Sequence, residues 1–263
     1  MMKRLIFPVA ILLVMSGGAW AEDDSYLSMS VGLERSSGKY GGTSTTDTTS
    51  IPVSLSYATN DWSLKLSVPY LFVTGDGSVV VSGSGMRGRR STATTTTTTT
   101  TQRTTTSGLG DVVAFASHSL LRSEEGDAGL DVAGRVKFGT ASTKFGSGEN
   151  DYAVQASGYI SFGDLTPSLM AGYEKLGSTA TAPLDNAAYG SVGLDYLLSD
   201  ESNIGMDYWY AQQASATGYA QRELSLYAAT QIGKDSYLRG FVMKGLSDGS
   251  PDTGYGVSLS TDF

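Results

Sequence analysis

Leu130-Asp131-Val132-Ala133-Gly134-Arg135-Val136-Lys137-Phe138 alternates without a break, with Leu, Val, Gly, Val and Phe at the even positions and Asp, Ala, Arg and Lys at the odd ones. Side chains of a β-strand point to opposite faces with period two, so this stretch carries one apolar face and one charged face. Three charges on one face are too costly for a dry core. They suit a strand with lipid on one side and a wet lumen on the other.

The same period spreads outward from that stretch. Leu27, Met29, Val31 and Leu33 share a face opposite Ser28, Ser30 and Gly32, and Ile51, Val53, Leu55 and Tyr57 share one opposite Ser54, Ser56 and Ala58. In the next strand Trp62, Leu64, Leu66, Val68 and Tyr70 point outward with Lys65 inward, and Pro69 weakens its end. Further on, Tyr152, Val154, Ala156, Ile160 and Phe162 oppose Gln155, Ser157 and Tyr159. A strand over 108–121 leaves its facing open, because Val112, Val113, Ala114, Phe115 and Ala116 do not alternate in polarity. Strands are also expected over 165–176, 188–198, 203–212, 223–232, 237–246 and 254–263. The total is about 12, an even number as bacterial single-chain barrels have.

Connections alternate in length. Asn60-Asp61, Gly163-Asp164, Ser199-Asp200-Glu201 and Gly233-Lys234-Asp235 are short, and the segments 35–49, 72–107, 139–151, 178–186, 214–220 and 247–253 are longer. Short periplasmic turns and longer extracellular loops are the asymmetry of outer-membrane barrels. Aromatic residues near strand ends (Trp62, Tyr70, Tyr152, Phe162, Tyr196, Tyr208, Tyr237, Tyr255 and Phe263) are expected to form interfacial girdles. The last strand places Tyr255, Val257, Leu259 and Phe263 on one face, with Phe263 at the carboxyl end. It resembles the terminal signal that barrel assembly machinery reads.

Lys3 and Arg4 precede an apolar run over 5–15, and Ala19-Trp20-Ala21 offers a small-x-small cleavage site. Residues 1–21 therefore read as a signal peptide and 22–263 as the barrel, in the outer membrane of a Gram-negative bacterium. The 33 glycines and 15 tyrosines, with only 17% charged residues, describe an all-β chain better than a helical one. Cysteine is absent, which fits export without disulfides. The net charge of -8 disfavours nucleic acid and anionic lipid as bulk partners.

Gly134-Arg135-Val136-Lys137-Phe138-Gly139-Thr140, followed by Lys144-Phe145-Gly146-Ser147-Gly148-Glu149-Asn150-Asp151-Tyr152, resembles the strand-loop-strand signature of one family, the outer-membrane transporters named for the MetA pathway of phenol degradation. Gly108-Leu109-Gly110-Asp111-Val112 is similar to that family's preceding strand start, and Gly163-Asp164-Leu165 with Ala171-Gly172-Tyr173 resembles its following hairpin. Where the family commonly has Pro before the Thr of the strand-end motif, this chain has Gly139. The resemblance covers 108–177. It implies a barrel that passes small, often hydrophobic compounds, without catalytic residues.

The chain has one histidine, His118, flanked by Ser117 and Ser119 with Leu120 two positions on, so no serine shares its face. A structural or interfacial role fits it better than catalysis, and the chain reads as a non-enzyme. No His/Cys spacing or Asp pattern suggests a metal, and no cofactor is expected. The strings Gly108-Leu109-Gly110 and Gly146-Ser147-Gly148 are followed by no helix and suit tight turns rather than nucleotides.

The residues expected to line the lumen and tune passage are Lys65, Arg135, Lys137, Glu174, Asp195, Asp207 and Glu223, with Asp111, Asp131 and Lys244 on the same expected face. They fit either a selective charged constriction or a mutually neutralised lumen, and the second is favoured because buried charges near one another generally pair. Segment 83–107, with Arg87, Arg89, Arg90 and the Thr tract 94–101, reads as a mobile extracellular loop. Its arginines could dock lipopolysaccharide phosphates, although a solvated loop tip is the simpler reading. The expected function is a conduit for small molecules. The alternatives are a plugged structural or surface-interaction barrel and a hydrolase acting on lipid or peptide at its rim. Expected partners are outer-membrane lipid and lipopolysaccharide, the assembly machinery through the strand ending at Phe263, and a small-molecule solute.

Overall fold

The computed structural model describes residues 25–76, 79–82, 90–93, 103–142, 145–180 and 183–263. The signal peptide expected over 1–21, Arg87, Arg89 and the Thr tract 94–101 lie outside the described residues. Strands form wherever apolar and polar residues alternate, because only a closed ring lets every strand pair its backbone on both edges while one face meets lipid.

The strands are β1 (Ser25–Gly38), β2 (Thr46–Thr59), β3 (Trp62–Gly75), β4 (Val79–Ser82), β5 (Arg90–Ala93), β6 (Thr104–Leu109), β7 (Val112–Arg122), β8 (Ala128–Phe138), β9 (Asp151–Ile160), β10 (Leu165–Lys175), β11 (Ala187–Ser199), β12 (Ser202–Ala211), β13 (Gln221–Gln231), β14 (Ser236–Gly245) and β15 (Thr253–Asp262). Twelve of them, β1–β3 and β7–β15, pair antiparallel with their sequence neighbours, and β15 returns to β1 to close the ring. The extra strand, β6, pairs with the upper part of β3 (Leu71↔Gly108, Thr74↔Thr105), while β7 pairs with its lower part (Lys65↔Phe115). The chain therefore crosses once as β6 and β7 together, interrupted at Gly110-Asp111. The hairpin of β4 and β5 is paired apart from the barrel sheet.

Several expected loops are shorter than the sequence suggests. β1 runs on through Arg35–Gly38 against Thr46–Thr49, and Thr104–Ser107, expected to be loop, is strand. The apolar period stops where the strands leave the membrane, but backbone pairing does not, and Thr is a good strand former. Segment 83–107 is accordingly not uniform loop.

The outer surface is apolar: Leu27, Met29, Val31, Leu33, Leu64, Leu66, Val154, Leu169, Val192, Leu226, Val242 and Val257 are all exposed. In β7 the open facing resolves into Val113 and Phe115 inward and Ala114, Ala116 and His118 outward, by register with Lys65, Trp62 and Arg135. A bulge between Ser119 and Leu121 then shifts the register. Of the residues expected in the girdles, Tyr237 departs: it is 5% exposed and points into the lumen, while the others lie outward. Strand ends carry aromatics on both faces, and a narrow barrel is filled by some of them.

Candidate functional site: a charged lumen

The four short turns expected from the sequence and a fifth, 123–127 between β7 and β8, lie at one end of the ring, which places the longer connections at the other. The asymmetry of such barrels makes the short-turn end periplasmic. Lys65, Arg135, Lys137, Glu174, Asp195, Asp207 and Glu223 all fall on the inner face by strand parity, and all but Lys65 and Arg135 are nearly inaccessible. Lys244 does not join them. It is exposed, in line with Val242 and Leu238 on the outer face. The inner-facing base of β14 is Arg239, missed in the sequence because Tyr237, Leu238, Phe241, Val242 and Met243 make both faces of that strand apolar. A lone charge in mid-strand between Leu238 and Gly240 was the available signal. Lys244, near the strand end, can reach the headgroups.

One part of the wall is tied by ion pairs. Lys137 on β8 reaches Asp151 on β9 at 2.9 Å and Asp111 at the β6/β7 break at 3.3 Å, while Arg135 reaches Glu174 on β10 at 2.5 Å. The carboxylates are held from the other side by backbone. Asp111 Oδ1 accepts from the amide of Ala141 at 2.9 Å, and Asp151 Oδ1 accepts from the amide of Gly177 at 2.8 Å. The two ion pairs of Lys137 therefore also staple long loops to the barrel mouth.

Residues 139–142 and 145–150 fold inward there. Phe145 is 2% exposed and packs on Leu71, Val73 and Ala141 beside Gly108. Gly139, at the position where the resembled family has Pro, donates its amide to Asn150 Oδ1 at 2.9 Å, and a Cβ on it would collide with the backbone of Gly148. Proline could supply neither the donor nor the space.

The wall from β11 to β13 is built differently. No Lys or Arg points inward from these strands, and Arg222, their sole base, faces outward. Asp195 pairs with Gly205 across β11/β12, and Trp209 pairs with Glu223 across β12/β13, with Asp207 two residues from each partner on β12. Asp195, Asp207 and Glu223 thus form a diagonal row, each one strand across and two residues along from the last, or about 8 Å per step. Glu223 stands nearest the long-loop end and Asp195 nearest the short turns.

Asp195 Oδ1 accepts from Tyr227 Oη and, at 3.0 Å, from Asn203 Nδ2. Gly205 makes this possible, since a Cβ there would overlap the Tyr227 ring and sit 2.8 Å from Asp195 Oδ1. Arg239 stacks its guanidinium 4.2 Å from the centre of the same ring, a cation-π contact. Beside the row, Tyr189 and Trp209 stack at 5.4 Å and join Ala153, Met170 and Ala211 in an apolar patch, with Tyr189 Oη donating to Gln155 Oε1 at 3.1 Å.

Elsewhere on the inner face Glu34 and Arg239 lie within electrostatic reach of Lys65. Near the short turns, a cavity of about 50 Å³ is lined by Phe115, Ser117, Ser119, Arg122, Asp131 and Gln155, among others. His118 lies on the opposite face of its strand. Its ring stacks on Trp62 at 4.5 Å and its Nδ1 is 3.2 Å from the carbonyl oxygen of Asp61.

Fold and lumen together define a transmembrane β-barrel of the outer-membrane type. No known family's sequence pattern matches the chain, and no curated protein matches it in sequence. Solved structures do. The chain is similar to the COG4313 outer membrane channel from Pseudomonas putida F1, with a TM-score of 0.68 and 12% identity over 92% of this chain and 97% of that one. It is also similar to the KdgM porin (TM-score 0.55, 13% identity, 90% and 99% covered) and to the beta domain of the Bordetella autotransporter BrkA (0.54, 13%, 92% and 100%). At such identities these likenesses speak for the barrel fold.

Proposed function

We propose that the chain is an outer-membrane channel that passes small molecules through its lumen. The observation that carries this reading is the inner face, where acidic and basic side chains from most strands surround the axis of a closed ring whose outer face is apolar. A barrel serving only as an anchor has no need of so many charges. Two of the similar structures are described as a channel and a porin. The likeness to the MetA-pathway transporter family supports the same reading, since its residues Lys137, Phe145, Asn150 and Asp151 shape the long-loop mouth. Cleavage after Ala21, residence in the outer membrane among lipid and lipopolysaccharide, and assembly through β15 and Phe263 complete the proposal. Phe263 is 77% exposed beside the outward row of Tyr255, Val257 and Leu259.

Phe145 folded over the mouth favours one second reading, a closed barrel that presents its loops. A rim hydrolase is disfavoured by geometry: His118 faces outward while Ser117 and Ser119 face inward. The test is single-channel recording of the refolded mature protein in planar bilayers, with segment 83–102, which precedes β6, present and deleted. Reproducible open steps are expected. A folded barrel silent in both forms refutes the channel and leaves the closed barrel.

A further inference from the structure

Charge is distributed unevenly around the lumen. Over the described residues of the barrel wall, nine carboxylates face inward (Glu34, Asp131 and Asp262 besides the six already placed) against five bases, which leaves an excess of four negative charges. Three of the five bases are also engaged. Lys137 is shared by two carboxylates, Arg135 is held by Glu174, and Arg239 lies on Tyr227. An anion entering the lumen therefore meets, at these three positions, cations already turned toward protein partners.

The inward charges carried by β11–β13 are all of one sign. There Glu223, Asp207 and Asp195 descend from the long-loop mouth toward the short turns with no inward base on their own strands, and Arg239 of β14 is the base within electrostatic reach of Asp195. Buried polar atoms on this wall that make no hydrogen bond include Asp195 Oδ2, in a residue 6% exposed, and the indole N–H of Trp209, in a residue 7% exposed. The oxygen is a ready ligand for a positive charge, because its partner oxygen is anchored by Tyr227 and Asn203 and holds the carboxylate still. Rows of carboxylates in a low-dielectric pore concentrate cations and repel anions.

We infer that the lumen is cation-selective, with the carboxylates of Glu223, Asp207 and Asp195 forming the row along which a small cation passes. The inference rests on the channel reading. Lys65 stands on β3, across the ring from β12, where it opposes the row and sets an upper bound on the preference.

The test is the reversal potential of the refolded mature protein in a KCl gradient. K⁺ is expected to be preferred over Cl⁻, and Asp207→Asn with Glu223→Gln is expected to bring the permeability ratio down toward no preference. Asp200→Asn, in a short turn outside the row, is expected to leave the ratio as it was. Open steps with Cl⁻ preferred, or a ratio indifferent to the double substitution, overturn cation selection while the channel reading stands. A silent wild-type barrel overturns both. Should the double variant not fold, Lys65→Gln supplies the second arm: a larger K⁺ preference is expected, and an unchanged or smaller one overturns the inference.

Discussion

The wall of β7–β10 and the wall of β11–β13 bury comparable numbers of carboxylates and hold them by opposite means. On the first, Asp111, Asp151 and Glu174 meet Lys137 and Arg135, and the pairs made by Lys137 also fasten the long loops. On the second, Asp195, Asp207 and Glu223 stand a diagonal step apart with no inward base on their own strands, and Asp195 is hydrogen-bonded by neutral donors, with Arg239 of β14 within electrostatic reach. Paired charges fix geometry; a row of one sign makes a field. The difference separates the part of the lumen that shapes the mouth from the part that acts on what passes.

The comparison breaks most readily at Lys137. Lys137→Met leaves two buried carboxylates without their cation, and loss of one partner from a buried pair costs about 3–5 kcal/mol. Denaturant unfolding from detergent micelles, followed by tryptophan fluorescence, is expected to show a destabilisation of that order. A stability near wild type would mean that lumen water, not Lys137, carries those carboxylates. A smaller loss is expected for Gly205→Ala, whose methyl would push Tyr227 off Asp195, at about 1–3 kcal/mol for overpacking. Asp207→Asn is expected to have the smallest effect on stability, within about 1 kcal/mol, because it removes one of a row of like charges. If Asp207→Asn destabilised the barrel as much as Lys137→Met, the two walls would be doing the same work.

Much of the architecture was legible in the residues. Leu130–Phe138 alone required a strand with a lipid face and a wet face, and the alternation of short and long connections ordered the strands into a ring. Legibility failed where polarity and position disagree. On β14 the two faces are equally apolar, so Arg239 was passed over and Lys244 was assigned to the wrong face. On β7 the inward residue is Phe115 and the outward ones are Ala114 and Ala116, which inverts the usual pattern. Tyr237 was placed among the girdle aromatics because nothing in a strand-end tyrosine says which face it occupies.

By itself the amino-acid sequence determined the class of fold, the approximate number of crossings and which charges share a face, because period-two patterning and turn chemistry act over a few neighbouring residues. Only the tertiary structure decided which charges meet. Lys137 is 26 residues from Asp111 and 14 from Asp151, and the row of Glu223, Asp207 and Asp195 exists through the register of three strands. Register is set by ring closure and by the side chains that fill the lumen, among them Tyr227 against Gly205. No local stretch of sequence contains that information.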